Sequence, residues 1–557
     1  MPISNNKVSV HQHYPLSVSI VIKRLFNNTQ SSITGAAIIL GAASFLSRIM
    51  GIVRDRIFAH QFGAGDVLDA YYAAFRAPDL VYNLLIVGAL SAGFIPIFLE
   101  LKEKNKKEAW LVTNSVLNMI AVGSLVLCSL LFLFTPGIIH AIVPGFDADK
   151  QALTVILSRI MFVSPIILGI SSLVSGVLQS YKSFLIYSLT PIMYNLGIII
   201  GALFFVPLWG VTGLAYGVLL GAVLHLLIQL PTFFKLGFRY HAVMNIANSS
   251  VKRIWKMMIP RTLSLATGQI NLLVITMLAS TLGAGSIAIF NFANNLQYFA
   301  VGIIGISFAV AAFPSLSEMI AKGKQSEMVD QLIRTTRQIL FFILPMSMLF
   351  LILRAQIVRT VLGSGAFDWT DTIMTADTLA FFSLSLFAQA LNPLLARGFY
   401  AIQDTWTPFL IGVSSTLVNI LAALYLKDIY GVRGLAFAFS IAAIFQGAML
   451  WFSLRHKVGP MKEKTLLLFL GKITFATMVM AVVTQYLKAP LSSIVDMTRL
   501  WGIFLQGLGA GTAGIAIYIL LSWLLGIEEI DIMKKAFKKR SLKLAKVEAS
   551  INEPDEV

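Results

Sequence analysis

The stretch GVTGLAY at residues 210–216 recurs as GVRGLAF at residues 431–437, 221 positions further along the chain. Two other short stretches recur in the same order at nearly the same spacing. These are FGAG at 62–65, which returns as LGAG at 282–285, and IP at 95–96 with Glu100, which returns as FP at 313–314 with Glu318. Ordered matches at nearly one spacing indicate an internal duplication. The chain is therefore predicted to fold as two similar halves.

Composition places both halves in a membrane. Of the 557 residues, 57% are hydrophobic and 12% are charged, and the mean hydropathy is +0.81. Soluble globular proteins contain about twice as many charged residues. Apolar stretches able to cross about 30 Å of hydrocarbon number roughly fourteen. We therefore predict an all-α polytopic membrane protein with about fourteen transmembrane helices.

The duplication predicts how these helices are arranged. Each repeat contains six of them, and because six is even, the two lobes are related by a pseudo-two-fold axis along the membrane normal. Two further helices follow the second lobe. The predicted segments are a cytoplasmic N-terminal segment (1–32), an N-lobe (33–240), a C-lobe (241–456), two C-terminal helices (457–526) and a basic amphipathic cytoplasmic tail (527–557).

The positive charges predict the orientation. Lys and Arg are concentrated in the even-numbered loops, around Lys104, Lys252 and Lys324 for example, so both termini are expected in the cytoplasm. The net charge of +17 could also indicate nucleic-acid binding. However, the basic residues form short clusters between apolar runs, which favours contact with anionic lipid and argues against nucleic acid.

The first predicted span carries charges that lipid disfavours. Arg48 follows a long run of apolar and small residues, and Arg54 and Arg56 come soon after it. A charge at the bilayer centre costs about 2.5–3.5 kcal/mol, so such residues usually line a cavity. Guanidinium groups bind phosphate through paired hydrogen bonds, and this set therefore favours an anionic substrate. The alternative is that these arginines reach the interface and bind lipid phosphates.

Asp69 and Arg76 add to the charge of the N-lobe. They are seven residues apart and so share one helix face, where they are expected to neutralise each other partly, unless Asp69 holds Arg54 instead. The equivalent stretch of the C-lobe, 220 residues later, has no charge. The two lobes are therefore predicted to differ chemically, with a cationic interior in the N-lobe.

Catalytic motifs are not found in the sequence. Cys128 is the single cysteine, which excludes a disulfide or a cysteine metal site within one chain. The stretch GAGTAG at 509–514 fits a dinucleotide motif literally, but it lies in a predicted span, where small residues favour helix packing. His225 stands alone among apolar residues and is expected to be hydrogen-bonded within the protein. An enzyme is therefore not predicted.

Several motifs, taken in order, give the sequence a family resemblance. They are SRIMGIVRD at 47–55, FGAGDVLDA at 62–70, GALSAGFIP at 88–96, VPGF at 143–146, QIN at 269–271 and GFYAIQDTWTP at 398–408. With them the chain resembles the MurJ/MviN family of lipid II flippases, within the multidrug/oligosaccharidyl-lipid/polysaccharide exporter superfamily. The resemblance extends from about residue 33 to about residue 525.

The resemblance implies a two-lobed flippase of the bacterial cytoplasmic (inner) membrane. It would move undecaprenyl-pyrophosphate-linked peptidoglycan precursor, lipid II, from the inner to the outer leaflet by alternating access. Arg48, Arg54 and Asp69 match cavity residues of the family, and the last two helices would form a groove for the lipid tail. The implied partners are lipid II, membrane lipids and cell-wall synthesis proteins. No cofactor is implied, and the energy would come from an ion gradient or the membrane potential.

The chain departs from the family at cavity positions. Many members have two arginines and a glutamate where this chain has Tyr82, Asn83 and Val87. Members also often have an Asp-Arg pair where this chain has Asn294 and Asn295. Asn83 and Asn295 are expected to face each other across the lobes. The lost charge could be supplied by Arg76 or Arg261.

These departures leave other functions open. The substrate could be another polyprenyl-linked oligosaccharide, or the chain could be an inactive paralogue that acts as a scaffold. A multidrug exporter of the same fold would need carboxylates to bind cations, and the arginines of the N-lobe oppose it. A membrane glycosyl- or acyltransferase would need a positioned acid or base.

Overall fold

The computed structural model describes residues 33–87 and 93–531, which form helices joined by turns. The predicted segment 1–32, the motif residues 88–92 and the tail beyond Asp531 lie outside the described residues. The first repeat consists of α1 (Ile33–Phe62), α2 (Asp66–Ala74), α3 (Arg76–Val81), a π-helical turn (Tyr82–Val87), α4 (Ile95–Lys104), α5 (Lys106–Leu133), α6 (Thr135–Ile142), α7 (Ala148–Ser180), α8 (Phe184–Trp209) and α9 (Thr212–Lys235).

The rest of the chain repeats this order and adds two helices. The second repeat consists of α10 (Ser249–Ser280), α11 (Ser286–Ala321), α12 (Gln325–Ile352), α13 (Arg354–Leu362), α14 (Trp369–Ser383), α15 (Leu386–Ala401), α16 (Trp406–Tyr430) and α17 (Val432–Val458). α18 (Glu463–Ile494) and α19 (Leu500–Leu524) pack against each other, and α18 also packs against α12.

Ten of these helices are long and apolar enough to cross a membrane, and α14 with α15, bent by 46°, make an eleventh if they form one span. The expected count of fourteen is not confirmed for the described residues.

The backbone shows the duplication directly. Gly210 ends α8 with φ 63° and ψ −150°, and Gly431 ends α16 with φ 60° and ψ −137°, a conformation that favours glycine. A Cβ atom on Gly213 would collide with the backbone of Phe205, and one on Gly434 with the backbone of Leu426, again 221 positions apart. The repeated GVxGLA motif therefore builds the same tight helix-to-helix turn in both lobes.

A polar contact between helices is repeated in the same way. In the N-lobe, Ser171 Oγ lies 2.6 Å from His225 Nδ1. In the C-lobe, the amide of Asn392 donates to Gln446 Oε1 at 3.3 Å, and both residues are displaced by 221 positions from the first pair. His225 is thus hydrogen-bonded within the protein, as the sequence predicts.

The lobes touch at both ends of the bundle. At one end, which we call the Asp69 end, the ring of Tyr72 meets that of Phe292 in an edge-to-face contact with centroids 6.1 Å apart. At the other, which we call the Arg253 end, Val251 and Ile254 of α10 are buried in a hydrophobic cluster with α4 and α5 of the N-lobe. Between these two ends lies a space that both lobes border.

Candidate functional site

A cavity of about 240 Å³ lies where α1 and α8 of the N-lobe meet α11 of the C-lobe. Its lining is polar and charged on the N-lobe side and includes one amide from the C-lobe. The lining residues are Arg48, Gly51, Ile52, Arg54, Asp55, Asn195, Asn295, Tyr298 and Phe299. Three of the residues that the sequence predicted, Arg48, Arg54 and Asn295, are therefore brought together.

Arg48 carries a positive charge that no carboxylate balances among the described side chains. Its Nη1 donates to the carbonyl of Tyr298 at 3.2 Å, and its guanidinium lies so close to Gly302 that any side chain there would collide with it. The remaining donors of the guanidinium are available to a ligand. Arg48 is therefore the residue in this cavity best suited to bind an anion.

Arg54, by contrast, is neutralised by its neighbour. Its Nε and Nη2 donate to Asp55 Oδ1 at 3.0 and 2.8 Å, and its Nη1 donates to Asn195 Oδ1 at 3.2 Å. The other carboxylate oxygen, Asp55 Oδ2, accepts from the amide of Asn295 at 2.8 Å. Asp55 thus joins an N-lobe arginine to a C-lobe amide across the cavity, a role that the sequence did not predict although Asp55 adjoins Arg54.

Arg56 lies outside the cavity and bridges the lobes. Its Nη1 donates to the carbonyls of Thr360 and Val361 at 2.6 and 3.0 Å. These carbonyls belong to the last turn of α13, where helix carbonyls lack partners and attract cations. Arg56 therefore caps a helix of the opposite lobe.

Asp69 makes a complementary contact at the same end. It is 1% exposed, and it accepts from the backbone N–H groups of Gly285 at 2.8 Å and Ala288 at 2.9 Å. These groups lie at the N-terminus of α11, whose N-cap, Gly285, has no side chain to accept from them. Asp69 thus supplies, from the N-lobe, the cap that α11 lacks.

The ion-pair partner predicted for Asp69 is wrong. Asp69 pairs with Lys150 at 2.8 Å, and Lys150 also pairs with Asp66 at 2.5 Å. Arg76 instead donates to Thr276 Oγ1 at 2.8 Å and to Asn291 Oδ1 at 3.3 Å, and it is buried between the lobes. Lys150 lies 81 positions from Asp69, so no local pattern could reveal it.

Asn83 does not line the cavity that Asn295 borders. The amide of Asn83 donates to the carbonyl of Asp79, four residues earlier on its own chain segment, at 2.9 Å. Asn83 lies within the π-helical turn Tyr82–Val87, and such a turn rotates side chains away from the α-helical register. The side chain of Arg261 lies outside the described residues.

A second, larger cavity lies within the C-lobe. It measures about 310 Å³ and is bordered by α10, α15, α16 and α17. Its lining contains hydroxyl and amide groups, such as Ser415, Asn419 and Gln446, and no charged side chain. The cavity with the arginines thus borders α1 of the N-lobe, and the cavity within the C-lobe is lined by neutral residues, in agreement with the predicted asymmetry.

Comparison with known sequences identifies a family whose members resemble this chain. The family described as "Lipid II flippase MurJ" matches residues 58–504. A lipid II flippase MurJ of Burkholderia cenocepacia is 29% identical over 431 residues, covering 76% of this chain and 84% of the relative. A probable lipid II flippase MurJ of Buchnera aphidicola is 30% identical over 504 residues, covering 88% of this chain and 97% of the relative.

Solved structures agree. "Lipid II flippase MurJ, inward closed conformation" is similar with a TM-score of 0.75 and 26% identity, covering 88% of this chain and all of that one. An inward-facing multidrug resistance MATE family transporter of the MOP superfamily has a TM-score of 0.63 at 17% identity, covering 75% of this chain and 96% of that one, and shares the fold alone. With the family matched over residues 58–504 and the arginine-lined cavity between two duplicated lobes, the chain belongs to the MurJ family.

Proposed function

We propose that this protein is a lipid II flippase, which moves the undecaprenyl-pyrophosphate-linked precursor of peptidoglycan from the inner to the outer leaflet. The observation that carries the proposal is Arg48, a cation without a carboxylate partner among the described side chains, in a cavity between the lobes. Lipid II carries a pyrophosphate, whose oxygens match the paired donors of a guanidinium. The protein acts as a transporter and performs no chemistry on its substrate.

In this proposal Arg48 binds the pyrophosphate first. Arg54 contributes less at the start because Asp55 balances its charge. When the lobes separate, Asn295 moves away from Asp55, and the Arg54–Asp55 pair is then freer to rearrange around an anion. Binding in a cavity with few waters strengthens each of these electrostatic contacts.

Alternating access then requires the two ends to open in turn. The Asp69 end would open by breaking the contacts of Asp69 with α11 and of Arg56 with α13. The Arg253 end would open by breaking the ion pair of Arg253 with Glu100 at 2.8 Å and the packing of Ile254 against Gly93. The distribution of Lys and Arg assigns the Arg253 end to the cytoplasm, together with both termini, in the bacterial inner membrane.

The lipid tail would lie along the last two helices. A largely apolar crevice of about 180 Å³ opens where α18 meets α12 and the break between α14 and α15. Met478 and Thr477 of α18 border it, opposite Met348 and Leu384. A crevice of this kind holds part of a polyprenyl chain without a polar partner. We assign the driving force to an ion gradient or the membrane potential, and we place cell-wall synthesis proteins among the contacts.

The test is complementation in cells depleted of their own lipid II flippase. The native chain should restore growth and return lipid II to the outer leaflet, measured by its accessibility to an enzyme added outside. Arg48→Ala should restore neither. Arg499→Ala is the matched control, because Arg499 is exposed and pairs only with Asp496 among the described residues. Growth without outward lipid II, or equal growth with native chain and Arg48→Ala, would contradict the proposal.

A further inference from the structure

The interlobe linker, residues 236–248, joins α9 to α10 and runs without helix or strand along α5. Asn114, which is buried, donates to the carbonyl of Arg239 at 3.1 Å and accepts from the N–H of His241 at 2.9 Å. One turn later, Asn118 donates to the carbonyls of His241 and Val243 at 3.1 and 2.9 Å. These two amides bind the linker backbone much as a neighbouring strand would.

Further contacts fix the linker on both sides of this pair. Tyr240 donates from its hydroxyl to Asn118 Oδ1 at 3.0 Å, and the N–H of Asn245 donates to Ser115 Oγ at 3.3 Å. Phe238, at the start of the linker, is buried against the ring of Trp110, with centroids 5.7 Å apart. The linker is therefore held to the N-lobe along its length.

The uncharged stretch of α5 that follows Asn118 bears on the depth of the linker in the membrane. After Asn118, α5 continues through residues 119–133 without a charged residue. Those residues span about 22 Å at 1.5 Å each, which is less than the roughly 30 Å of hydrocarbon that a span must cross. The uncharged α6 (Thr135–Ile142) continues this path to about 36 Å along the chain, which is long enough for Asn118, and the linker bound to it, to lie at the boundary between headgroups and acyl chains.

The side chains that the linker leaves exposed suit that boundary. Tyr240 and Ile246 are 60% and 57% exposed, and Met244 and Val243 are 47% and 38% exposed. From Lys235 to Lys256 the chain carries basic residues and no acid. Among the described residues, Arg253 is the only one of these cations with a carboxylate partner. Apolar side chains flanked by unpaired cations are typical of segments that bind an anionic membrane surface.

We propose that the interlobe linker is a membrane-surface anchor, whose exposed apolar side chains enter the boundary region while Arg239, Lys235 and Lys252 bind anionic phospholipid headgroups. In the orientation of the proposed function this is the inner leaflet. The anchor fixes the N-lobe end of the connection between the lobes to the leaflet. The occupant is lipid and not a further protein segment, because charge, depth and exposure all match a headgroup layer.

The test measures depth at position 243. Val243→Cys in a Cys128→Ala background is labelled with an environment-sensitive fluorophore and reconstituted into vesicles. Lipid spin-labelled near the headgroup should quench this label strongly, and aqueous iodide should quench it weakly. The matched references are Leu125→Cys, which is exposed on the apolar part of α5, and Lys104→Cys, which is exposed beyond it.

Quenching by iodide as strong as at Lys104→Cys would overturn the proposal. Weak quenching by both iodide and the headgroup spin label would overturn it too, because a protein segment would then cover the site. Replacing both Arg239 and Lys252 by Gln should reduce several-fold the effect of adding about one-third phosphatidylglycerol to phosphatidylcholine vesicles, whereas Arg499→Gln should not. Both leaflets have the same composition, so the result depends on neither orientation nor flipping and stands apart from the proposed function.

Discussion

Asn295 of the C-lobe donates its amide to Asp55 of the N-lobe at 2.8 Å, and the other oxygen of the same carboxylate pairs with Arg54. A neutral donor therefore occupies a position where the family resemblance predicts a cation. Asp55 remains free to pair with Arg54, and Arg48 is left as the unbalanced charge of the cavity. The departure from the family pattern thus concentrates the positive charge on one residue.

Loss of Asn295 should impair transport, whereas loss of Asn83 should not. Asn295→Ala leaves Asp55 Oδ2 without its donor, at a cost of about 1–3 kcal/mol to the closed state. Asn83→Ala removes only a bond to its own chain segment. We expect Asn295→Ala to reduce complementation several-fold at equal protein level, with Asn83→Ala close to native. The reverse order would refute this assignment of roles.

The Asn83→Arg, Asn295→Arg double variant tests whether the substrate has changed. If lipid II is the substrate, the native chain complements and the double variant gains nothing, because a new arginine beside Asp55 competes with Arg54. If the native chain fails and the double variant complements, the native substrate is another polyprenyl-linked oligosaccharide. Arg76→Ala is the control variant, because Arg76 donates to Thr276 and does not line the cavity.

Arg48 should tolerate lysine poorly. A charge-assisted contact to phosphate is worth about 1.5–3 kcal/mol, or roughly ten- to a hundredfold in affinity. Lysine keeps the charge but lacks the paired donors. We therefore expect Arg48→Lys to recover only a small part of the activity that Arg48→Ala loses, measured as outward lipid II at matched expression. Full activity of Arg48→Lys would mean that charge alone is sufficient.

Asp69→Ala should loosen the Asp69 end. The change strands two N–H groups of α11 and leaves Lys150 without its buried partner. In a Cys128→Ala background, Ala288→Cys should then react several-fold faster with an impermeant thiol reagent added outside. Asp66→Ala is the control, because Asp66 pairs with the same lysine but not with the C-lobe. Equal rates in both variants would show that Asp69 does not hold the lobes together.

The proposed orientation predicts that the loops around Lys104, Lys252 and Lys324 face the cytoplasm. Lys104→Cys, Lys252→Cys and Lys324→Cys, each in a Cys128→Ala background, should resist an impermeant thiol reagent added to intact cells and react after the membrane is permeabilised. Strong labelling of any two from outside would reverse the orientation. It would also remove the assignment of the Arg253 end to the cytoplasm.

Much of the fold could be predicted from sequence because the repeated motif reflects what the backbone requires locally at each turn. A GVxGLA turn needs glycine wherever it occurs, so the same letters mark Gly210 and Gly431 in both lobes. The cavity arginines were also accessible, since Arg48 and Arg54 share one helix. Lys150 and the α11 backbone around Asp69 were not, because contacts between lobes depend on packing rather than on local sequence. The side-chain direction of Asn83 was not accessible either, because its π-helical turn departs from the α-helical register.

The bonds between Asp69 and the N-terminus of α11 determine which substitutions the protein tolerates at the bonded positions. Every residue except proline offers a backbone N–H, so position 288 can change its side chain without losing the bond to Asp69. Position 285 is different, because its φ of 82° favours glycine and a Cβ atom there would collide with the Ala64 carbonyl. A saturation library should therefore be sharply intolerant at 285 and at 69, whereas position 288, whose alanine is fully buried, should accept only other small residues.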